Sequence, residues 1–213
     1  MIRAVLFDLD GTLLHTLPDM VIALNAALAD CGLPVRTMSE IRSFVGNGTK
    51  MLVARAVPAG TDTSTAERVY EGYCANYAVC WPDHTAPYQG VPELLRALKE
   101  RGIAAAVVTN KNHGDAQAMI RRIFGDLIAF TEGRREGRPP KPSPESAEAA
   151  LKILGIVREE ALYVGDSGVD AQTAQNAGMD AVLAAWGYWD EERLLSCPAR
   201  GVIHRPEQLL DYL

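Results

Sequence analysis

Four short apolar runs, 2–8 (IRAVLFD), 103–109 (IAAAVVT), 161–166 (ALYVGD) and 180–184 (DAVLA), are spaced along the chain with helical patterns between them. Uninterrupted apolar runs of this length belong to strands buried on both faces. The segments 91–101 (VPELLRALKER, closed by Gly102), 113–124, 144–154 (PESAEAALKIL, closed by Gly155) and 168–177 repeat apolar residues at i, i+3 and i+4. Proline near the start or glycine after the end marks their limits. Parallel strands need crossover connections, and helices in that role cover both faces of the sheet. The expected fold class is therefore α/β, a Rossmann-like parallel sheet with helices on both faces.

Between the first run and residue 83 no strand-like run occurs. Residues 17–31 place Met20, Leu24, Ala27, Leu28 and Cys31 on one helical face, and Thr37 with Glu40 fits a capping box that opens another helix. A third helix over 64–81 carries the stripe Val69, Tyr70, Tyr73, Tyr77 and Trp81, read as packing between helices rather than as a ligand surface. Residues 17–82 are accordingly expected to form a small all-helical cap domain, inserted into a core domain made of 1–16 and 83–213. One shift in composition stands out: 132–142 (EGRREGRPPKP) reads as a basic loop rich in glycine and proline.

Composition excludes several functions. With 21 Lys+Arg against 27 Asp+Glu the net charge is −6, which argues against non-specific nucleic-acid binding, since that rests on basic surface. No stretch approaches the roughly 18 uncharged apolar residues of a membrane span, and MIRAVLFDLDGT puts carboxylates where a signal peptide has its apolar core. A soluble, cytoplasmic protein without membrane or nucleic-acid partners is expected. Cys31, Cys74, Cys80 and Cys197 form no CxxC pair, and His15, His84, His113 and His204 are scattered, so the thiols read as reduced and mostly buried and no zinc site is legible.

The chemistry begins where the first strand ends, at Asp8-Leu9-Asp10-Gly11-Thr12. In extended chain Asp8 and Asp10 point the same way, and ligands of open α/β sheets bind outside the strands' carboxyl ends. Three more pieces belong at the same edge: Thr109 and Asn110 in VVTNK, Asp166 and Asp170 in VGDSGVD, and Lys141 at the head of KPSPE. Each has an ordinary reading as a helix cap or a surface cation. Together they place four carboxylates at one edge, which repel unless a cation joins them. A small set of oxygen ligands favours Mg²⁺, which retains waters and a phosphate oxygen in its shell.

In these segments the chain resembles the haloacid dehalogenase superfamily, specifically its phosphoglycolate phosphatase-like branch with a helical cap. FDLDGT, VVTN, KPSP and VGDSGVD match its motifs in order, and the resemblance extends to RSFVGNG, YQGVPELL and AWGY. It implies an Mg²⁺-dependent phosphatase acting on a small phosphorylated metabolite. Asp8 would be the nucleophile that forms an aspartyl-phosphate, and Asp10 would exchange protons with leaving group and water. Asp8, the Asp10 carbonyl and Asp166 would hold the metal. Thr109 and the Asn110 amide would hold phosphate oxygens, and Lys141 would balance charge. Asp170 would orient Lys141 or enter the metal's outer shell.

Asp10 speaks against dehalogenase or phosphonatase chemistry. A phosphomutase, which would draw on Arg42 and Lys50, or a pyrophosphatase of the same superfamily stays open, as does a non-catalytic phosphate-binding module. Gly46, Asn47 and Gly48 read as a cap loop that sets specificity, with phosphoglycolate the first candidate substrate. His15 stands where relatives commonly carry an acidic residue, at the hinge of the cap.

Overall fold

The computed structural model describes residues 1–213. Its sheet has six parallel strands: β1 (Ala4–Phe7), β4 (Ala104–Asn112), β5 (Phe130–Arg134), β6 (Ala161–Gly165), β7 (Asp180–Ala184) and β8 (Gly201–Ile203), in the order β5-β4-β1-β6-β7-β8. The four expected strands form its centre. β5 (FTEGR) and β8 (GVI) lie at the edges, where a strand needs no continuous apolar run, and periodicity alone gives them no signal. Two further residue pairs, β2 (Leu14–His15) and β3 (Ala86–Pro87), make a small antiparallel ladder where the chain leaves the core for the helices and returns.

Strand alternation divides the core between the two faces. Val5 and Phe7, Ala105 and Val107, and Leu162 and Val164 point to one side, whereas Ala4 and Leu6, Ala106 and Val108, and Ala161 and Tyr163 point to the other. The first face is covered by α5 (Val91–Glu100) and α6 (His113–Ile123), the second by α7 (Glu145–Leu154) and α8 (Gly168–Asn176). A short α9 (Glu191–Leu195) packs near β8.

Four helices fill the span between the first two core strands: α1 (Leu17–Asp30), α2 (Met38–Phe44), α3 (Thr49–Ala56) and α4 (Thr63–Cys80). α1 and α4 pack along each other through Met20, Ala23, Leu24, Ala27 and Leu28 against Val69, Tyr73 and Tyr77. The capping box at Thr37 and Glu40 is formed as expected. This apolar cluster is continuous with that of the first sheet face, so the helices are seated on the core rather than hung from it. The seat is also polar. Arg42 in α2 donates to the carbonyls of Tyr188 (2.7 Å) and Gly187 (3.3 Å) in the loop after β7. Fully buried Asp19 accepts from the His84 and Thr85 side chains on the return connection.

The cysteines depart from expectation in burial. All four are free, but Cys74 is exposed and Cys31, Cys80 and Cys197 are only half-buried. No helix is long and apolar enough to cross a membrane.

Candidate active site

Parallel pairing brings the carboxyl ends of β1, β4 and β6 to one edge, with β1 between the other two. Asp8 follows β1, Thr109 to Lys111 close β4, and Asp166 follows β6. The register of β4 against β5 shifts between Val108 and Asn112, the stretch that carries Thr109, Asn110 and Lys111.

Asp8, Asp166 and Asp170 form a cluster whose carboxylate oxygens lie within 4.8 Å of one another. Lys141 supplies the single ammonium among them. Its Nζ is 2.7 Å from Asp170 Oδ1, 3.0 Å from Asp8 Oδ1 and 3.2 Å from the Tyr163 hydroxyl, which uses all three of its protons. Burial works against a charged Lys141, but Asp170 and Asp8 hold its pKa well above the usual range. Burial, against the pull of Lys141, raises the Asp8 carboxyl to about 6. Asp166 is pushed well above the ordinary carboxylate range by burial and by its neighbours Asp170 and Asp8.

These details sort the carboxylates. Asp170 spends one oxygen on Lys141 and the other on the Ser167 N–H and hydroxyl. Asp166 accepts only from neutral donors, Thr12 Oγ1 at 3.0 Å and Tyr188 N at 2.7 Å, and is left without a counter-charge although buried. A buried carboxylate in that state calls for a cation. Asp8 lies beside it, and the Asp10 carbonyl accepts no backbone hydrogen bond. Asp8, Asp166 and that carbonyl are a hard-oxygen donor set that fits a small divalent cation. Gly11 belongs to the same geometry. Its φ is +89°, and a Cβ there would collide with the Asp166 carboxylate, so only glycine lets the turn close over it.

Asp10 faces a different group of partners. Thr16 Oγ1 donates to its Oδ1 at 2.8 Å, and the Tyr188 hydroxyl stands 2.9 Å behind Thr16. Lys111 Nζ reaches both Asp10 oxygens, at 3.1 and 3.3 Å, and also the Tyr77 hydroxyl at 3.0 Å. Lys111 was not among the residues singled out from the sequence, although Thr109 and Lys111 alternate onto one face of an extended segment. Tyr77 corrects the reading of the aromatic stripe as packing alone: it is buried between helices yet ends in the site.

Thr109 is not a helix cap, since Asn112 caps α6. Its Oγ1 accepts from Lys111 N at 3.3 Å, and its own proton remains to donate. The Asn110 side chain has both of its amide protons engaged within the protein. Its Nδ2 donates to Gly46 O at 3.0 Å and Lys141 O at 3.2 Å, and its Oδ1 accepts from Lys141 N at 2.8 Å. It ties the cap loop and the Lys141 segment to the end of β4. Of the cap loop, Gly46 and Gly48 line the pocket with Asp8, Asp10 and Thr109, whereas Asn47 turns away to accept from Arg55 at 2.8 Å. His15 meets Tyr88, its Nδ1 3.3 Å from the hydroxyl, outside the pocket. Arg42, one of two cap cations a mutase would draw on, is committed to the Gly187 and Tyr188 carbonyls.

A carboxylate paired with a buried lysine, a second aspartate and an uncompensated acidic neighbour thus meet at one sheet edge, and residues 5–184 match the family model for haloacid dehalogenase-like hydrolases. The chain belongs to that family. This hydrolase is 38% identical to the phosphoglycolate phosphatase of Rhodospirillum rubrum, over 99% of its own length and 90% of that protein's. It is 33% identical to the phosphoglycolate phosphatase of Xanthomonas campestris pv. campestris, over 97% and 94% of the two chains. Among solved structures it superposes on a candidate phosphoglycolate phosphatase from Lactobacillus delbrueckii subsp. bulgaricus with TM-score 0.93 at 29% identity, covering 99% of this hydrolase and 97% of that chain.

Proposed function

We propose that this hydrolase is a phosphatase for small phosphomonoesters, phosphoglycolate first among them, working through an aspartyl-phosphate on Asp8 with Mg²⁺ as its cofactor. The observation that carries the reading is the pairing of Asp8 with Lys141 at 3.0 Å, beside a pocket that Asp8 and Asp10 both line. A carboxylate so held needs no base to activate it, and the lysine prevents its repulsion from an incoming phosphate.

In the first step an Asp8 oxygen attacks phosphorus, the bond from phosphorus to the ester oxygen breaks, and Asp10 gives its proton to the departing alcohol. In the second, water attacks the same phosphorus, Asp10 takes a proton from it, and inorganic phosphate leaves with Asp8 restored. The proton that Asp10 gives up is thus recovered from water. Lys111 and Thr16 fix the Asp10 carboxyl in the orientation both transfers need. Thr109 donates its free hydroxyl proton to a phosphate oxygen, and Lys141 balances charge on Asp8 and the transferring group, with Asp170 holding it in place. Asp8, the Asp10 carbonyl and Asp166 would hold Mg²⁺, which supplies further neutralisation of the phosphoryl oxygens.

Residues 17–82 act in this reading as a cap over a core of 1–16 and 83–213, with Gly46 and Gly48 closing on the substrate. The curated relatives named for phosphoglycolate support a compact, anionic substrate. The test is turnover of an aryl phosphate with and without Mg²⁺, followed by a panel of phosphorylated metabolites ranked by kcat/KM. Absence of phosphate release from every compound would overturn the reading.

A further inference from the structure

The pocket at Asp8 is small, about 40 Å³. That is room for the transferring group and little more, given the roughly 10–15 Å³ a single water requires by the same kind of measure. The rest of a substrate must extend elsewhere. A second cavity of about 430 Å³ adjoins it, sharing Thr49 and Asn110 as walls. Its other walls include Lys50 and Tyr70 from the helices and Arg134, Arg135 and Arg138 from the end of β5 and the loop beyond, against the one carboxylate of Glu136.

The four cations are not equivalent. Arg135 and Arg138 are both paired with Glu132, whose side chain is almost wholly buried. Arg134 has no ion pair: its guanidinium lies under the cap loop, with Nη1 3.0 Å from where a Cβ of Gly48 would stand. Lys50 has none either, and its Nζ sits 5.6 Å over the Tyr70 ring. Two like charges from opposite sides of the seam between helices and sheet therefore line one cavity with no ion pair to either, and the single Glu136 carboxylate there does not balance them, an arrangement that a bound anion stabilises.

We propose that this cavity receives a second anionic group of the substrate, a carboxylate or a phosphate remote from the scissile ester, held between Lys50 and Arg134. The inference rests on Asp8 being the point of phosphoryl transfer and extends it by defining the substrate class: phosphomonoesters with an anionic tail. Such a tail would bridge the two sides of the seam, so the same group that selects the substrate also draws the cap loop onto it.

The test compares matched substrates with and without the tail: 2-phosphoglycolate against ethyl phosphate for a carboxylate, and glucose 1,6-bisphosphate against glucose 6-phosphate for a phosphate. At least one pair should show a kcat/KM ratio of about tenfold or more in favour of the anionic tail, and the pair with the larger ratio identifies the tail. In the double variant Lys50→Gln/Arg134→Gln that ratio should fall to about one, with Arg134→Lys alone keeping part of it. A wild-type ratio near one in both pairs, or a ratio the double variant leaves intact, would overturn the proposal. If none of the four compounds is hydrolysed, the phosphatase reading fails by itself. Calorimetric binding of 2-phosphoglycolate and glucose 1,6-bisphosphate then decides the site: affinity about tenfold weaker in the double variant supports it, and equal or undetectable binding in both proteins overturns it.

Discussion

Lys111 Nζ lies 3.1 Å from Asp10 Oδ1, and no other ammonium reaches that carboxylate. The contact joins the end of β4 to the turn after β1, and through the Tyr77 hydroxyl it also joins both to α4. Both partners are largely buried, so the pair is little screened by solvent. Lys111→Met keeps the aliphatic stem and removes the charge. It should lower kcat by about thirtyfold, roughly 2 kcal/mol of barrier, while the circular dichroism spectrum stays that of the wild type. A variant with undiminished kcat would show that Asp10 is oriented without Lys111.

Asp8→Asn should abolish turnover, because the amide is nearly isosteric but is not a nucleophile. Activity above about a tenth of wild type, a loss of less than ~1.4 kcal/mol, excludes the covalent role. Trapping of phosphate on the wild-type chain, and none on the variant, checks the same point by mass.

The same substitution carries a pH signature in stability. Burial raises the Asp8 pKa from 3.8 to about 6, so the folded protein binds this proton more tightly than the unfolded chain does. Stability contributed by the protonated form is therefore present at about pH 4 and lost as pH rises through about 6. In chelator, Asp8→Asn should match the wild type near pH 4 and exceed it above pH 7 by on the order of 3 kcal/mol in urea unfolding. Curves that stay parallel across this range would remove burial as the dominant influence on Asp8.

Asp166 is the buried carboxylate without a counter-charge, and Mg²⁺ should supply it. Millimolar Mg²⁺ is expected to raise the Tm of the wild type by several degrees and to leave Asp166→Asn nearly unmoved. Chelator should stop turnover. Ca²⁺ should bind without restoring it, since the larger ion takes more ligands and would draw in both oxygens of Asp8. Full activity in chelator, or equal support by Ca²⁺, contradicts the metal assignment.

Gly48 has φ +85°, and a Cβ there would stand 3.0 Å from Arg134 Nη1 and 3.1 Å from Asn110 O. Gly48→Ala strains the backbone by about 1–2 kcal/mol and lifts the loop from its seat. KM for phosphomonoesters should rise about tenfold, whereas phosphorylation of Asp8 by acetyl phosphate, which needs no cover, should persist. Equal loss of both would show that the loop serves the chemistry itself rather than the cover.

The alternation of apolar runs with helical periodicity was enough, in the sequence, for the parallel sheet, the helices on both faces and the run of helices over 17–82. These are local patterns, set by which residues must be buried at a period of two or 3.6. The same holds for the gathering of Asp8, Asp10, Thr109 and Asp166, because strand ends at one sheet edge converge, while Lys141 and Asp170 reach them from the loop before α7 and the first turn of α8. Tertiary structure decided the rest. β5 and β8 exist because a neighbouring strand offers an open edge, which no periodicity in FTEGR or GVI records. Lys111 pairs with Asp10 across 101 positions, and Tyr77 leaves its packing stripe to meet it. Asn110 acts as a brace because the Gly46 and Lys141 carbonyls arrive on either side of it. Each of these depends on how charges and polar groups distant in the chain are brought together out of water, and a contact of that kind has no counterpart in residue spacing.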